Sequence, residues 1–344
     1  MKSKHTALTR AIERLDPHQV GLSTSLLPKQ IAFVAKDFPK NAKLPPHKKW
    51  NSVVICAMGG SALGADLLRY VYEDFLNVRV TIVQGYRVPA FADRNTLVVL
   101  CSYSGTIEEI ISCFKDARSR KLSSFVVASG GELMRLARHY RMPRYAFSTE
   151  FNPSKQPRIG TGYTMTALYM LFREARVLKP GTPDLLAAAR TIPPEQGKAL
   201  IAAQRLRAHS CIIIGAEHLR GNAHIISNQL NESAKAFAPY FFLSELNHHL
   251  LEGLGSLRTA RRHWTVIFLD SSSYAPRMRR RVTVTRHVFE KQGFKTLTVP
   301  FAGSRIAQCL AALSYGSWLS YYLAILGGIR PSQIPWVDYF KKEL

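Results

Sequence analysis

The sequence predicts an α/β protein built from two doubly wound parallel sheets in tandem, each a three-layer, flavodoxin-like or Rossmann-like domain. Three observations predict it. Short runs rich in Val and Ile alternate with helical patterns along most of the chain. The runs end in turns of small glycine and hydroxyl residues. The same alternation restarts beyond residue 205. Alternation of this kind argues for βαβ units, and right-handed crossovers then place helices on both faces of each sheet.

Residues 6–38 read as helical, from apolar spacing through Leu8, Ile12 and Leu15 and later Ile31, Phe33 and Val34. A loop rich in Pro and Lys, Pro39 to Lys49, follows. Strands are expected at 52–57, 79–83, 96–101 and 124–128, with helices at 62–75, 106–119 and 131–140. Residues 153–176 read as a loop and then an apolar helix, Thr164 to Ala175. Pro180, Pro183, Pro193 and Pro194 punctuate the next stretch, so a linker is expected at about 190–205. Strand 210–215, helix 220–237, strand 264–269, helix 277–291, strand 295–299 and helix 305–326 complete the second alternation. A short segment from Ile334 closes the chain. The expected domains are 1–195, including the leading helices, and 205–344.

The strand-to-helix turns carry the chemistry. Val53–Ala57 runs into Met58-Gly59-Gly60-Ser61, and Thr96–Cys101 runs into Ser102-Tyr103-Ser104-Gly105-Thr106. Glycines let the backbone approach a ligand, free N–H groups point at it, and the helix N-terminus favours negative charge. Two such turns about forty residues apart suggest one phosphate held between neighbouring parallel strands. Three hydroxyls in five residues exceed what capping needs. The turn Ala128-Ser129-Gly130-Gly131 fits a wall of the same pocket, and fits a plain turn as well. Glu108 and Glu109 read as first-turn acids that complement the helix dipole. Arg158, after Pro157, opens a helix and can clamp an anion or a developing oxyanion.

In the second half, Asn231 and Glu232 lie on a helix, with Lys235 one turn on. Glu245-Leu246-Asn247-His248-His249-Leu250 follows. Adjacent histidines point apart and the H-E-x-x-H zinc pattern is absent. A carboxylate and an imidazole from separate elements suit proton transfer.

Bulk properties narrow the classes. The 344 residues are 47% apolar and 20% charged, as in ordinary folded proteins. No apolar stretch is expected to reach the roughly 18 residues that span a bilayer. The start, Met1-Lys2-Ser3-Lys4-His5, has no apolar core after it, which excludes a secretory signal. Five scattered cysteines, an odd number without metal spacing, read as reduced core residues of a cytoplasmic protein. Lys and Arg total 47 against 23 acids, a net +24. The densest run is Arg277-Met278-Arg279-Arg280-Arg281. The charge is otherwise spread along the chain and no nucleic-acid module is visible, which favours a solvated basic surface that attracts anionic substrates over a nucleic-acid partner.

Taken in order, the Gly-Gly-Ser, Ser-Tyr-Ser-Gly and Ser-Gly-Gly turns, Pro157-Arg158, Asn231-Glu232 with Ala234-Lys235, Glu245-Leu246-Asn247-His248 and a C-terminal lysine resemble the bifunctional phosphoglucose/phosphomannose isomerases. These proteins are built from two sugar isomerase (SIS) domains. The resemblance covers about residue 20 to the end. The SIS turns occur in many sugar-phosphate binders, and the Asn231-Glu232 and Asn247-His248 pairs narrow it.

The resemblance implies an aldose–ketose isomerase acting on glucose 6-phosphate and mannose 6-phosphate to give fructose 6-phosphate. Ser61, Ser102, Ser104 and Thr106, with the amides of Gly59, Gly60 and Gly105, would hold the phosphate. Glu232 would move a proton between C1 and C2, and Arg158 would stabilise the cis-enediolate. His248 would help open the ring and would come from the second subunit of a homodimer. Lys341 would touch the ring oxygen or hydroxyls. Ser332 stands where relatives often carry a threonine. The implied mechanism needs no metal and no redox cofactor. Two departures stand out. The family loop reads S-Y-S-G-N-T, so Thr106 replaces the asparagine and Ile107 the phosphate-binding threonine; either Thr106 takes over or phosphate binding is weakened. Relatives often follow Asn-His with Asn-Glu, where this chain has His249 and Leu250. These departures keep open an alternative, a non-catalytic SIS regulator that binds a sugar phosphate.

Overall fold

A five-stranded and a four-stranded sheet, each parallel throughout, carry the fold. The computed structural model describes residues 2–46, 48–257, 259 and 261–343. The chain divides into two compact units, Leu26–Thr191 on one hand and Met1–Ser25 with Ile192–Leu344 on the other. This differs from the expected division, which gave all of 1–195 to one domain.

The leading residues explain the difference. The helical stretch expected over 6–38 is three helices, α1 (Lys2–Leu15), α2 (Val20–Ser25) and α3 (Leu27–Asn41). Pro17 follows Asp16, whose carboxylate accepts hydrogen bonds from the Val20 and Gly21 amides at 2.7 and 2.9 Å. The first helix therefore stops and a second is capped. Pro28 then sits in the first turn of α3, where its missing N–H costs nothing.

The Leu26–Thr191 unit continues with β1 (Ser52–Cys56), α4 (Gly60–Val71), β2 (Arg79–Val83), β3 (Thr96–Ser102), α5 (Glu108–Ser119) and β4 (Ser124–Ala128). It ends with α6 (Gly131–His139), β5 (Arg144–Ala146), α7 (Thr161–Glu174) and α8 (Leu185–Ala189). The strand order is β2-β1-β3-β4-β5. Every residue of β3 and β4 is buried, as central strands covered on both faces require. Val54, Val98, Leu100 and Val126 pack with Ile110 and Phe114 of α5 and Leu133 of α6. Phe125 points to the other face, its ring 6.3 Å from Phe38 of α3.

The other unit adds α9 (Gln196–Leu206), β6 (Ser210–Ala216), α10 (Arg220–Gln229), β7 (Tyr240–Leu243), α11 (Leu250–Gly253) and β8 (Trp264–Ser271). Then come α12 (Pro276–Lys291), β9 (Lys295–Phe301), α13 (Arg305–Leu326) and α14 (Pro335–Glu343). The strand order is β7-β6-β8-β9. The stretch expected as a linker is mostly α9, which packs on α13. Helices α1 and α2 also pack on α13. The expectation that no segment is long and apolar enough to span a bilayer fails for α13. Its mean hydropathy is 1.3, yet 94% of that window is buried inside the protein.

Candidate active site

In both sheets the chain reverses direction of travel at the first strand. β1 lies between β2 and β3, and β6 lies between β7 and β8. Crevices at the carboxyl ends of such strand pairs are the usual ligand positions of open α/β sheets. The two units fill their crevices differently.

After β1, the chain turns through Gly59 and Gly60 into α4. Gly60 is required by close approach, since a Cβ there would stand 2.8 Å from the Arg158 nitrogen and 2.9 Å from the Pro157 carbonyl carbon. The first turn thus lies directly against the segment that carries Arg158. Ser61 is buried, and its Oγ accepts a 2.7 Å hydrogen bond from the Tyr103 amide, tying the first turn to the second. Ser102 is fully buried, and its Oγ accepts from the Gly105 amide at 3.0 Å. A hydroxyl that accepts from backbone keeps its own O–H to donate. Gly105 has φ +76°, and a Cβ there would overlap the Gly130 carbonyl oxygen at 1.9 Å. Ser129 Oγ donates to the Tyr103 carbonyl at 2.7 Å, so the third turn is locked to the second.

Ser104 and Thr106 hold the open side, their hydroxyl oxygens 2.8 Å apart. Thr106 is exposed. Ile107 is half-buried and packs against the sheet's apolar core as the residue before α5. The hydroxyl available beside Ser104 is therefore that of Thr106, and Ile107 serves the core.

Arg158 lies in a short 3-10 turn, Pro157–Ile159, and is almost wholly buried. Its Nη1 donates to Gln156 Oε1 at 2.7 Å. Asn152 Nδ2 donates to the Gln156 carbonyl at 3.0 Å and to the Tyr103 hydroxyl at 2.7 Å. Burial holds the Tyr103 phenol above its ordinary pKa, so it stays neutral. Tyr103 thus connects the hydroxyl turn to the arginine turn. Nothing in the residue pattern announced Asn152 or Gln156 as supports, because their partners are backbone and side chains brought together only by folding.

In the second unit, the helix expected over 220–237 ends early. After α10 the backbone widens into a π-helical turn, Leu230–Ala234, which contains Asn231 and Glu232. Such turns are rare and often mark functional positions. Lys235 ends it in the left-handed conformation (φ 53°), and its Nζ donates to the Glu232 carbonyl at 2.7 Å. The amide of Asn231 donates to the Ser227 and Ala238 carbonyls at 2.8 and 3.2 Å, holding the returning chain. The Glu232 side chain is half-buried on this turn.

His248 ends a 3-10 turn, Glu245–His248, and is exposed, as is His249. Asn247 fixes the turn. Its Nδ2 donates to Thr285 Oγ1 at 2.8 Å and its Oδ1 accepts from Arg281 Nη1 at 3.3 Å. One arginine of the dense basic run is thus spent on positioning. Lys341 lies exposed on α14, and Ser332 is buried before it.

The β6/β8 crevice contains a polar plug. Gln308 Nε2 donates to Ser273 Oγ and the Gly303 carbonyl, both at 2.8 Å. Its Oε1 accepts from Ser271 and lies 3.2 Å from His218 Nε2. Burial draws the His218 pKa down to about 4. Where the first sheet presents hydroxyls, the second satisfies them internally.

Residues 195–344 match the family model of the bacterial phospho-glucose isomerase C-terminal SIS domain. A bifunctional phosphoglucose/phosphomannose isomerase of Thermoplasma volcanium is 28% identical over 302 residues, 86% of this chain and 92% of that one. A protein of the same name from Caldicellulosiruptor bescii is 28% identical over 339 residues, 92% and 96% of the two chains. Among solved structures, glucosamine-6-phosphate deaminase of Thermotoga maritima superposes with a TM-score of 0.69 at 16% identity, covering 91% and 97%. Tagatose-6-phosphate ketose/aldose isomerase of Escherichia coli gives 0.60 at 12% identity, covering 94% of each chain. The solved structures share the fold, an α/β arrangement of parallel sheets.

Proposed function

Because the chain belongs to the family of bifunctional phosphoglucose/phosphomannose isomerases, we propose that it interconverts glucose 6-phosphate, and mannose 6-phosphate, with fructose 6-phosphate in the cytoplasm. The observation that carries the reading is the β1/β3 crevice, where hydroxyl turns and a buried arginine are built into one hydrogen-bonded unit. We assign the substrate phosphate to Ser61, Ser102, Ser104 and Thr106 with the amides of Gly59, Gly60 and Gly105.

In the aldose-to-ketose direction, the Glu232 carboxylate takes the proton from C2. The C2–H electron pair forms the C1–C2 double bond, and the carbonyl electrons move to O1. The resulting cis-enediolate charge is met by the Arg158 guanidinium. The Glu232 acid returns the proton to C1, while the C2 hydroxyl proton moves to O1 and leaves the ketone. His248, from a second copy of the chain, assists ring opening, and Lys341 contacts the ring oxygen or hydroxyls. A planar enediol can be reprotonated from either face, which serves both epimers. The Gln156 amide helps to orient the Arg158 guanidinium, as an oxyanion stabiliser requires.

A coupled assay of the purified protein with all three sugar phosphates tests the reading. Turnover is expected with the wild type, falling at least about a hundredfold in Glu232→Gln. Fructose 6-phosphate binding with no turnover would replace the enzyme by a sugar-phosphate-binding regulator.

A further inference from the structure

Tyr103 stands between Ser102 and Ser104, two hydroxyls assigned above to the substrate phosphate, yet its buried side chain serves another turn. Its backbone belongs to the cradle. The N–H donates to Ser61 Oγ, and the carbonyl accepts from the Ser129 amide at 3.0 Å and the Ser129 hydroxyl at 2.7 Å. Its side chain belongs to the segment that carries Arg158. The hydroxyl accepts from Asn152 Nδ2, which also donates to the Gln156 carbonyl. The ring lies against Gly160, where any Cβ would overlap it. The Gly160 amide donates to the Gln156 and Pro157 carbonyls at 3.1 and 3.0 Å, closing the turn around Arg158. Both ends of the Arg158 turn therefore bear on one side chain, and that side chain is rooted in the phosphate cradle.

The cradle is fixed unequally. Ser61, Ser102 and Gly105 are buried, whereas Ser104 is half-buried and Thr106 exposed. On this open side the Ser104 and Thr106 hydroxyls meet at 2.8 Å, and the Thr106 amide donates to Ser104 Oγ at 3.3 Å, bonds that stay within three residues. A dianion that accepts from Ser102, Ser104 and Thr106 grips the chain on both sides of Tyr103. That adds a hold which the segment's own hydroxyls do not supply. The Tyr103 side chain passes it through Asn152 to Gln156, whose Oε1 accepts from Arg158. Binding energy from a remote, non-reacting group is in this way directed to orientation at the reacting centre. The route runs through protein side chains and not through the carbon chain of the sugar. The dianion therefore acts on Arg158 without being bonded to the substrate.

We propose that a phosphate dianion in this cradle is an activator as well as a handle, with Tyr103 the positioning residue that transmits its hold: the protein isomerises unphosphorylated fructose to glucose when a separate inorganic dianion occupies the cradle. The inference rests on the isomerase reading above and adds to it an activity on the substrate supplied in two pieces.

Glucose formed from fructose is measured with and without inorganic phosphite, beside ordinary turnover of fructose 6-phosphate. Saturating phosphite should raise turnover of fructose at least about tenfold, and Glu232→Gln should abolish the activated reaction. Tyr103→Phe keeps the ring and removes the hydroxyl. It should cut the activation at least about fivefold and lower kcat for fructose 6-phosphate several-fold, with KM within about twofold and unchanged circular dichroism. Gln156→Ala should cut the activation as well, and the double variant should lose little more than either single one, as members of one route do. A protein that turns over no sugar phosphate defeats the isomerase reading and this inference together. One that turns over fructose 6-phosphate overturns the inference alone if phosphite leaves its action on fructose unchanged or inhibits it. Activation that survives intact in Tyr103→Phe, or that persists in Glu232→Gln, overturns it equally.

Discussion

Nη1 of Arg158 donates a 2.7 Å hydrogen bond to Oε1 of Gln156, two residues earlier in the same buried turn. The amide oxygen helps to aim the guanidinium. Gln156→Ala should lower kcat about tenfold with little change in KM, through lost orientation. Gln156→Glu keeps a hydrogen-bond partner for the guanidinium but adds a negative charge beside it, so kcat should fall further, toward a hundredfold. Steady-state kinetics of both variants check this. Equal kcat in the two would mean that charge at Arg158 is irrelevant.

The hydroxyl of Thr106 lies 2.8 Å from that of Ser104, while Ile107 packs in the core. Thr106→Val should raise KM for the sugar phosphate roughly five- to tenfold, the loss of about 1–1.5 kcal/mol of hydrogen bonding, and leave thermal stability alone. Ile107→Thr, which restores the family's residue type at that position, should instead lower stability by about 1–2 kcal/mol without improving KM. Thermal melts read beside the kinetics separate the two effects.

His218 is buried with a pKa near 4, below its ordinary value of 6.5. Burial is the main cause, and the charge of Arg305 adds to it. The unfolded chain therefore binds a proton that the native chain refuses between those values. Stability is complete above about pH 6.5 and falls as the pH drops toward 4, by roughly 3 kcal/mol from this residue. Denaturant melts from pH 7.5 to 4 should show that decline, and His218→Asn should flatten it. Gln308→Ala, which strips the plug of its centre, should cost about 1–3 kcal/mol at neutral pH.

Asn247 holds the turn that ends in His248 by bonds to Thr285 and Arg281. Asn247→Ala should lower kcat several-fold with the melting temperature within a few degrees of wild type. If His248 acts in ring opening and Asn247 acts through it, the double variant Asn247→Ala/His248→Ala should be no slower than His248→Ala alone, which steady-state kinetics of the four proteins measure.

Much of this architecture was legible because buried parallel strands have a plain signature. Strands at 79–83 and 124–128 and the helix at 305–326 fall where the apolar runs put them. The edge strands β5 and β7 escaped notice. Arg144-Tyr145-Ala146 is three residues long, and Tyr240–Leu243 is an aromatic run with no alternation and a proline before it. The π turn was equally silent, since Leu230–Ala234 has ordinary helical composition and widens only because Lys235 and Asn231 hold the returning chain. At the candidate site, the hydroxyl turns and Arg158 were visible as residue types. Their supports, Asn152 and Gln156, act through contacts that exist only once the turns are folded together.

The assignment of α1 and α2 to the unit that begins again at Ile192 has a consequence for biogenesis. Gly21 lies so close to the Tyr321 ring that a Cβ would stand 2.7 Å from it, so the seating of α2 waits on a residue some three hundred positions later. A ribosome releases the intervening unit whole before that seat exists. The opening 25 residues emerge first and are housed last, and a fragment starting at 192 would carry α13 with its flank bare.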